Sequence, residues 1–154
     1  MHRKQLSKKE IKLLNEQIET ELGKSGHFDK KDHVEELDGR FIKRGDTIEF
    51  FIHEGRLLPT LRFLLQNPTL KTVVVDMGAV KFVASGADIM RPGIVEIDDD
   101  IKEGLAVRII DVDNRKPLAV GLAMASSEDM KEMTSGKAVK SIHHVGDDIW
   151  KICS

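Results

Sequence analysis

The 154-residue chain has one cysteine, Cys153, beside its C-terminus. A single thiol cannot close an internal disulfide, so the expectation is an intracellular, cytoplasmic protein. No apolar run approaches the roughly 20 residues of a membrane-spanning helix, and no membrane partner is expected. The first residues, Met1–Lys9, are basic, but no apolar stretch follows them, so they are not expected to be a secretory leader. Nor is there an excess of charge of one sign. Lys and Arg number 24, Asp and Glu 26, for a net charge of −2. That balance excludes binding of nucleic acid through bulk positive charge and leaves only local patches. Residues 1–12 supply one, with Arg3, Lys4, Lys8, Lys9 and Lys12 against the single acid Glu10. The run Asp98-Asp99-Asp100 is acidic.

Signs of catalysis are also missing. Neither C-x-x-C nor H-x-x-x-H spacing occurs among His2, His27, His33, His53, His143, His144 and Cys153. The adjacent pair His143-His144 reads as part of a strand, where neighbours point to opposite faces and cannot share an ion. No G-x-S-x-G surrounds Ser126, Ser127 or Ser135. Neither phosphate-loop glycine pattern is present. The expectation is a non-catalytic protein without metal or cofactor.

What is present is an ordered series of short elements. Ser7-Lys8-Lys9-Glu10 has the form of a capping box, and Ile11, Leu14, Ile18 and Leu22 then recur at helical spacing up to Gly23. This predicts an amphipathic helix over about 7–22. A loop follows over 24–32, then a hairpin around Asp38-Gly39, a second turn at Arg44-Gly45-Asp46, and a strand over Thr47–Ile52. Pro59 opens a helix over 60–65, which Asn67-Pro68 ends. Beyond a boundary near 67–71 the texture changes to short strands and turns. Strands are expected over 71–76, 93–97, 105–112, 118–125 and 137–145, with 148–152 completing the set. Short helices are expected over 79–85, with Gly86 as a left-handed cap, and from Ser126, closed by Gly136. Strands at this spacing imply a small barrel or pseudobarrel.

The stretch from Val75 to Gly93 is the candidate site. Gly86 permits a positive φ, and Gly93 after Pro92 permits a tight turn. Ala87 leaves room for close approach, Asp88 can accept local N–H groups, and Arg91 offers a phosphate contact. Equally, the glycines can serve only a helix-to-strand connector. Gly121, within a strand, marks close approach of a backbone or ligand, or packing on an adjacent helix.

Several motifs then occur in order: Val75-Asp76-x-Gly78-Ala79, Phe82-Val83, Gly86-Ala87-Asp88-Ile89-Met90-x-Pro92-Gly93-Ile94, Ala119-Val120-Gly121, Ser126-Ser127-Glu128-x-Met130, Gly136-Lys137-Ala138-Val139 and His144-x-Gly146-Asp147-x-Ile149-Trp150. Together they resemble the PUA domain over about 71–152. Phe50-Phe51 and Leu58-Pro59-Thr60-Leu61-Arg62-Phe63-Leu64 resemble the pre-PUA domain of the malignant-T-cell-amplified-sequence family and its short archaeal relatives. The resemblance implies an α+β protein, with a small α+β unit over 1–70 and a PUA-type pseudobarrel with short helices over 71–154. It implies RNA contact at Lys81, Gly86, Ala87, Asp88, Met90, Arg91, Pro92 and Gly93, with Gly121 and Ala123 behind them and Lys137 and His144 nearby. The partner implied is structured RNA, tRNA or small-subunit rRNA, in translation or RNA modification, together with the small ribosomal subunit or a translation factor. Residues 71–154 nevertheless carry 11 Lys and Arg against 14 Asp and Glu, for a net charge of −3. That balance keeps two alternatives open: a protein-interaction adaptor, and a targeting module for a separate RNA-modifying enzyme.

Overall fold

The computed structural model describes all of residues 1–154. An antiparallel sheet in the first half holds β1 (Arg3–Gln5), β2 (Val34–Leu37), β3 (Phe41–Arg44), β4 (Thr47–His53) and β5 (Arg56–Pro59), side by side in chain order. The Asp38-Gly39 turn has φ of 52° and 63°, the left-handed pair that suits a tight hairpin. Glu54-Gly55 repeats it, with φ of 48° and 78°, and so creates β5, which sequence reading missed. Strand β1 was also missed. Its three residues are exposed and gain their strand form from pairing with β2.

Helix α1 (Lys8–Leu22) packs Ile11, Leu14 and Ile18 on this sheet. Its capping box forms as read: the Glu10 amide donates to Ser7 Oγ at 3.2 Å, and the Ser7 amide to Glu10 Oε1 at 3.1 Å. Pro59 ends β5 opposite Phe50 rather than opening a helix. Thr60 caps α2 (Leu61–Gln66) through the Phe63 amide, and its hydroxyl also donates to the Ile48 carbonyl at 3.0 Å.

The second half is a mixed six-stranded sheet that curls into a half-barrel. Its strands are β6 (Lys71–Val75), β7 (Ile89–Met90), β8 (Ile94–Ile97), β9 (Ala106–Asp111), β10 (Pro117–Ala123) and β11 (Lys137–His144), in the order β7-β11-β10-β9-β6-β8. Only β6 and β9 pair in parallel. Both are almost wholly buried, with apolar runs Val73–Val75 and Ile109–Ile110, as strands covered on two faces should be. Helix α3 (Met77–Val83) follows β6, and α4 (Ser127–Glu132) leads toward β11. Two expectations are corrected here. Helix α4 ends at Glu132 with Met133 as its cap, and Gly136 lies in the later turn, with φ of 89°. Residues 148–152 are not a strand but α5 (Asp148–Ile152), because the Asp147 carboxylate accepts the Trp150 amide at 2.9 Å and starts a helix.

The two sheets fall on either side of residues 67–71, but their apolar clusters do not stop there. Leu37, Phe41, Phe51 and Leu58 pack with Ala106 and Ile149, and Leu61 and Leu64 pack with Val120. His143 on β11 is fully buried between the halves. Its Nε2 accepts the Leu61 amide at 3.0 Å. The proton must therefore sit on Nδ1, which donates to Asp147 at 2.9 Å. No helix is long and apolar enough to cross a membrane.

Candidate nucleic-acid interface

Helix α3 starts where Asp76 accepts the Ala79 amide at 2.9 Å. It begins at Met77, two residues before the start expected from the sequence, because the cap is Asp76. Val83 points into the core, and Phe82, one residue earlier on so short a helix, is turned away from it and is 62 % exposed. The chain then doubles back. The amides of Gly86 and Ala87 donate to the carbonyls of Val83 and Phe82, both at 3.0 Å, and Gly86 has a φ of 94°. The expected left-handed residue after the helix is therefore present.

Strand β7 pins the returning chain to β11 through buried Ile89, and Met90 beside it stays exposed. A single 3-10 turn, Arg91–Gly93, leads into β8. A Cβ on Gly93 would lie 2.9 Å from the Ala79 Cβ, so the absent side chain lets α3 lie close to this turn. The Gly93 carbonyl accepts the Asp76 amide at 2.9 Å. Between α3 and the 87–93 segment lies an open cleft of about 440 Å³. Its lining is mainly small or apolar, and its two carboxylates, Asp76 and Asp88, are both engaged.

Five of the expected contact residues line this cleft: Ala87, Asp88, Met90, Pro92 and Gly93. Asp88 accepts the Ser141 amide at 2.9 Å and pairs with Lys137 at 3.1 Å. The Ser141 amide, with Lys137 in support, holds its carboxyl below the usual range against the opposing effect of burial. Lys137 thus reaches the rim as the partner of Asp88. Lys81 is exposed on a neighbouring flank of α3 and has no ion pair. Arg91 is turned inward, with Nε donating to the Met130 carbonyl at 2.6 Å and Nη1 to the Ile94 carbonyl at 3.0 Å. Its role in this structure is to tie the 3-10 turn to α4.

Gly86 and His144 form a second layer. His144 Nδ1 donates to the Val145 carbonyl at 2.9 Å, and its ring lies so close that a Cβ on Gly86 would sit 2.8 Å from Nε2. Gly121 and Ala123 are buried under the cleft and do not line it. The close neighbour of Gly121 is a strand, not a helix. Its Cβ would meet Val139 Cγ1 at 2.5 Å and the Lys140 carbonyl oxygen at 2.6 Å, beside a bulge between β10 and β11. Phe82 belongs to one of the motifs but not to the contact residues expected from them, and it is the most exposed apolar group at the site. The available signal was its place beside Val83, since adjacent residues on a helix cannot both face the core.

Residues 71–145 match a family model described as the PUA domain. An uncharacterized protein of Methanocaldococcus jannaschii is 38 % identical over 156 residues, covering 94 % of this chain and 93 % of that protein. Translation machinery-associated protein 20 of Eremothecium gossypii is 40 % identical over 113 residues, covering 69 % of this chain but 62 % of that protein. Malignant T-cell-amplified sequence 1-B of Xenopus laevis is 32 % identical over 123 residues, covering 77 % and 66 %. Among solved structures, a hypothetical protein of Pyrococcus horikoshii superimposes with a TM-score of 0.86 at 36 % identity, covering 99 % of this chain and all of that one. The archaeal box H/ACA sRNP Nop10-Cbf5 complex contains a chain that matches with a TM-score of 0.51 at 29 % identity, covering 62 % of this chain and 30 % of that chain.

Proposed function

Because this chain belongs to the PUA-domain family, with relatives among translation-associated proteins, we propose that it is a non-catalytic protein that binds structured RNA, tRNA or small-subunit rRNA, through the α3 cleft. The observation that carries this reading is the pairing of exposed Phe82 and Met90 with a close-packed backbone at Gly86-Ala87. Unstacked bases are recognised on aromatic and apolar faces beside backbone groups, and such faces need little net charge. In this reading residues 1–70 act as a pre-PUA-like unit and 71–154 as the RNA-binding unit, working in the cytoplasm with the small ribosomal subunit or a translation factor.

The test is a titration of the protein with labelled tRNA and small-subunit rRNA fragments at low salt. Binding that weakens with salt, and weakens further on Phe82→Ala, is the expected result. No binding to either RNA at low salt would sink the reading. The net charge of −3 over 71–154 favours a second one, an adaptor that docks protein. Partners that survive RNase treatment of a lysate would support it.

A further inference from the structure

A second concavity lies in the first half of the chain, between the first half of α1 and the loop over residues 26–30. It measures about 760 Å³ and carries Lys8, Lys9, Lys12 and Lys30 along its walls. All four are exposed. None has an ion-pair partner, whereas nearby Lys4 pairs with Glu10, Arg44 with Asp32 and Glu49, and Arg56 with Glu21. The one acid in the lining, Asp29, accepts the Lys31 amide.

The groove is preformed. The Asn15 side chain binds the Phe28 backbone at both ends, Nδ2 to the carbonyl and the amide to Oδ1, each at 2.9 Å. Phe28 itself is buried against His27 and Phe50. The loop is therefore fixed to the helix, and Lys30 is held opposite the α1 lysines.

Those lysines act against the fold. Lys8 and Lys9 stand in the first turn of α1, where the helix dipole disfavours cations. Lys8 and Lys12 are four residues apart on one flank and repel each other. A cost borne by three residues without internal compensation points to an external anion. Its class follows from what the groove lacks. Ile11 and Phe28, its two apolar residues, are buried, so no large apolar side chain projects from it to anchor a protein partner or enter a bilayer. What sets the groove apart is four unpaired ammonium groups against the one carboxylate of Asp29, which suits a phosphodiester backbone.

We propose that this groove holds the phosphates of the RNA whose bases enter the α3 cleft. The inference rests on the RNA reading above. It explains how a chain of net charge −2 can gain affinity, by concentrating unpaired lysines away from the part that reads bases.

The test follows binding of the full chain to labelled tRNA across a series of KCl concentrations, for wild type, for the combined Lys8→Gln, Lys12→Gln, Lys30→Gln variant, and for Phe82→Ala. The triple variant should lower the slope of log affinity against log salt by about 2, at roughly 0.7–0.9 per lost phosphate contact. Phe82→Ala should weaken binding with the slope unchanged. These lysines are exposed and unpaired, so circular dichroism should show an intact fold; single substitutions, each lowering the slope by about one contact, serve as the internal check. If the triple variant keeps the wild-type slope and affinity while Phe82→Ala weakens binding, the groove proposal falls and the RNA reading stands. If wild type binds no RNA, both fall. If polyglutamate or phosphatidylserine vesicles bind as tightly through the same lysines, the groove takes another partner and the proposal is overturned.

Discussion

In the α3 cleft nearly every nearby charge has an internal partner, whereas along the α1 groove none of the four lysines has one. Asp76 caps a helix, Asp88 holds the Ser141 amide and Lys137, and Arg91 binds two carbonyls. The cleft presents Phe82, Met90 and backbone. The groove presents Lys8, Lys9, Lys12 and Lys30. Where charges are satisfied from within, a surface offers shape and stacking. Where they are left free, it offers salt-sensitive attraction. The two regions suit different parts of one polyanion, and His143 joins the halves that carry them.

The comparison can be broken at its base. Gly121→Val places a side chain inside the contact of β10 with Val139 and the Lys140 carbonyl, distorting β11 and, through it, β7 in the cleft. The expected loss is about 3 kcal/mol or more in urea unfolding, as for other overpacked core sites.

Cutting the link between the halves comes next. His143→Ala removes the acceptor for the Leu61 amide and leaves a cavity, for a loss of about 2–4 kcal/mol. The same residue sets a pH dependence. Burial holds its pKa below the ordinary 6.5, although Asp147 pulls the other way. The folded protein thus keeps it neutral, while the unfolded chain takes up a proton first as pH falls. Its contribution is present in full above about pH 6.5 and is lost as pH drops below that value. Urea midpoints should therefore fall more from about pH 7.5 to about pH 5.5 in wild type than in His143→Ala. Equal decreases would remove this residue from the explanation.

Phe82→Ala sharpens the comparison from the cleft side. Loss of one stacked base is worth about 1–3 kcal/mol of RNA affinity, with protein stability unchanged because the ring is exposed. Arg91→Ala should do the reverse. It leaves the Met130 and Ile94 carbonyls without their donor and lowers stability by about 1–2 kcal/mol, while the salt dependence of RNA binding stays the same. A drop in the salt slope instead would show that this guanidinium reaches phosphate despite its internal bonds.

Most of the fold was legible because its signals are local. The capping box at Ser7, the Asp38-Gly39 turn and the apolar run of β6 each specify an element within a few residues. The misses have two causes. Strand β1 exists only through its pairing with the distant β2, whereas β5 and α5 do have local signals, but weak ones: a turn whose first residue, Glu54, is an unusual host for positive φ, and a lone cap at Asp147. At the site, Ala87, Asp88 and Gly93, grouped by the sequence motif, line one cleft, and Gly86 lies behind it. Side-chain direction was not legible: Arg91 reads as a phosphate contact but is turned inward, and nothing in the sequence marked Phe82, rather than Val83, as exposed.

The amino-acid sequence by itself determined where most helices and turns fall, which half carries the cleft, and that the chain has no bulk positive charge. Capping, periodicity and composition are properties of neighbours along the chain, so they survive without a fold. Only the tertiary structure decided which charges are free. Lys137 is claimed by Asp88, Arg91 by two carbonyls, and Lys8, Lys9, Lys12 and Lys30 by nothing. An ion pair depends on groups brought together from separate elements within a few ångströms, and no count of lysines and carboxylates contains that distance.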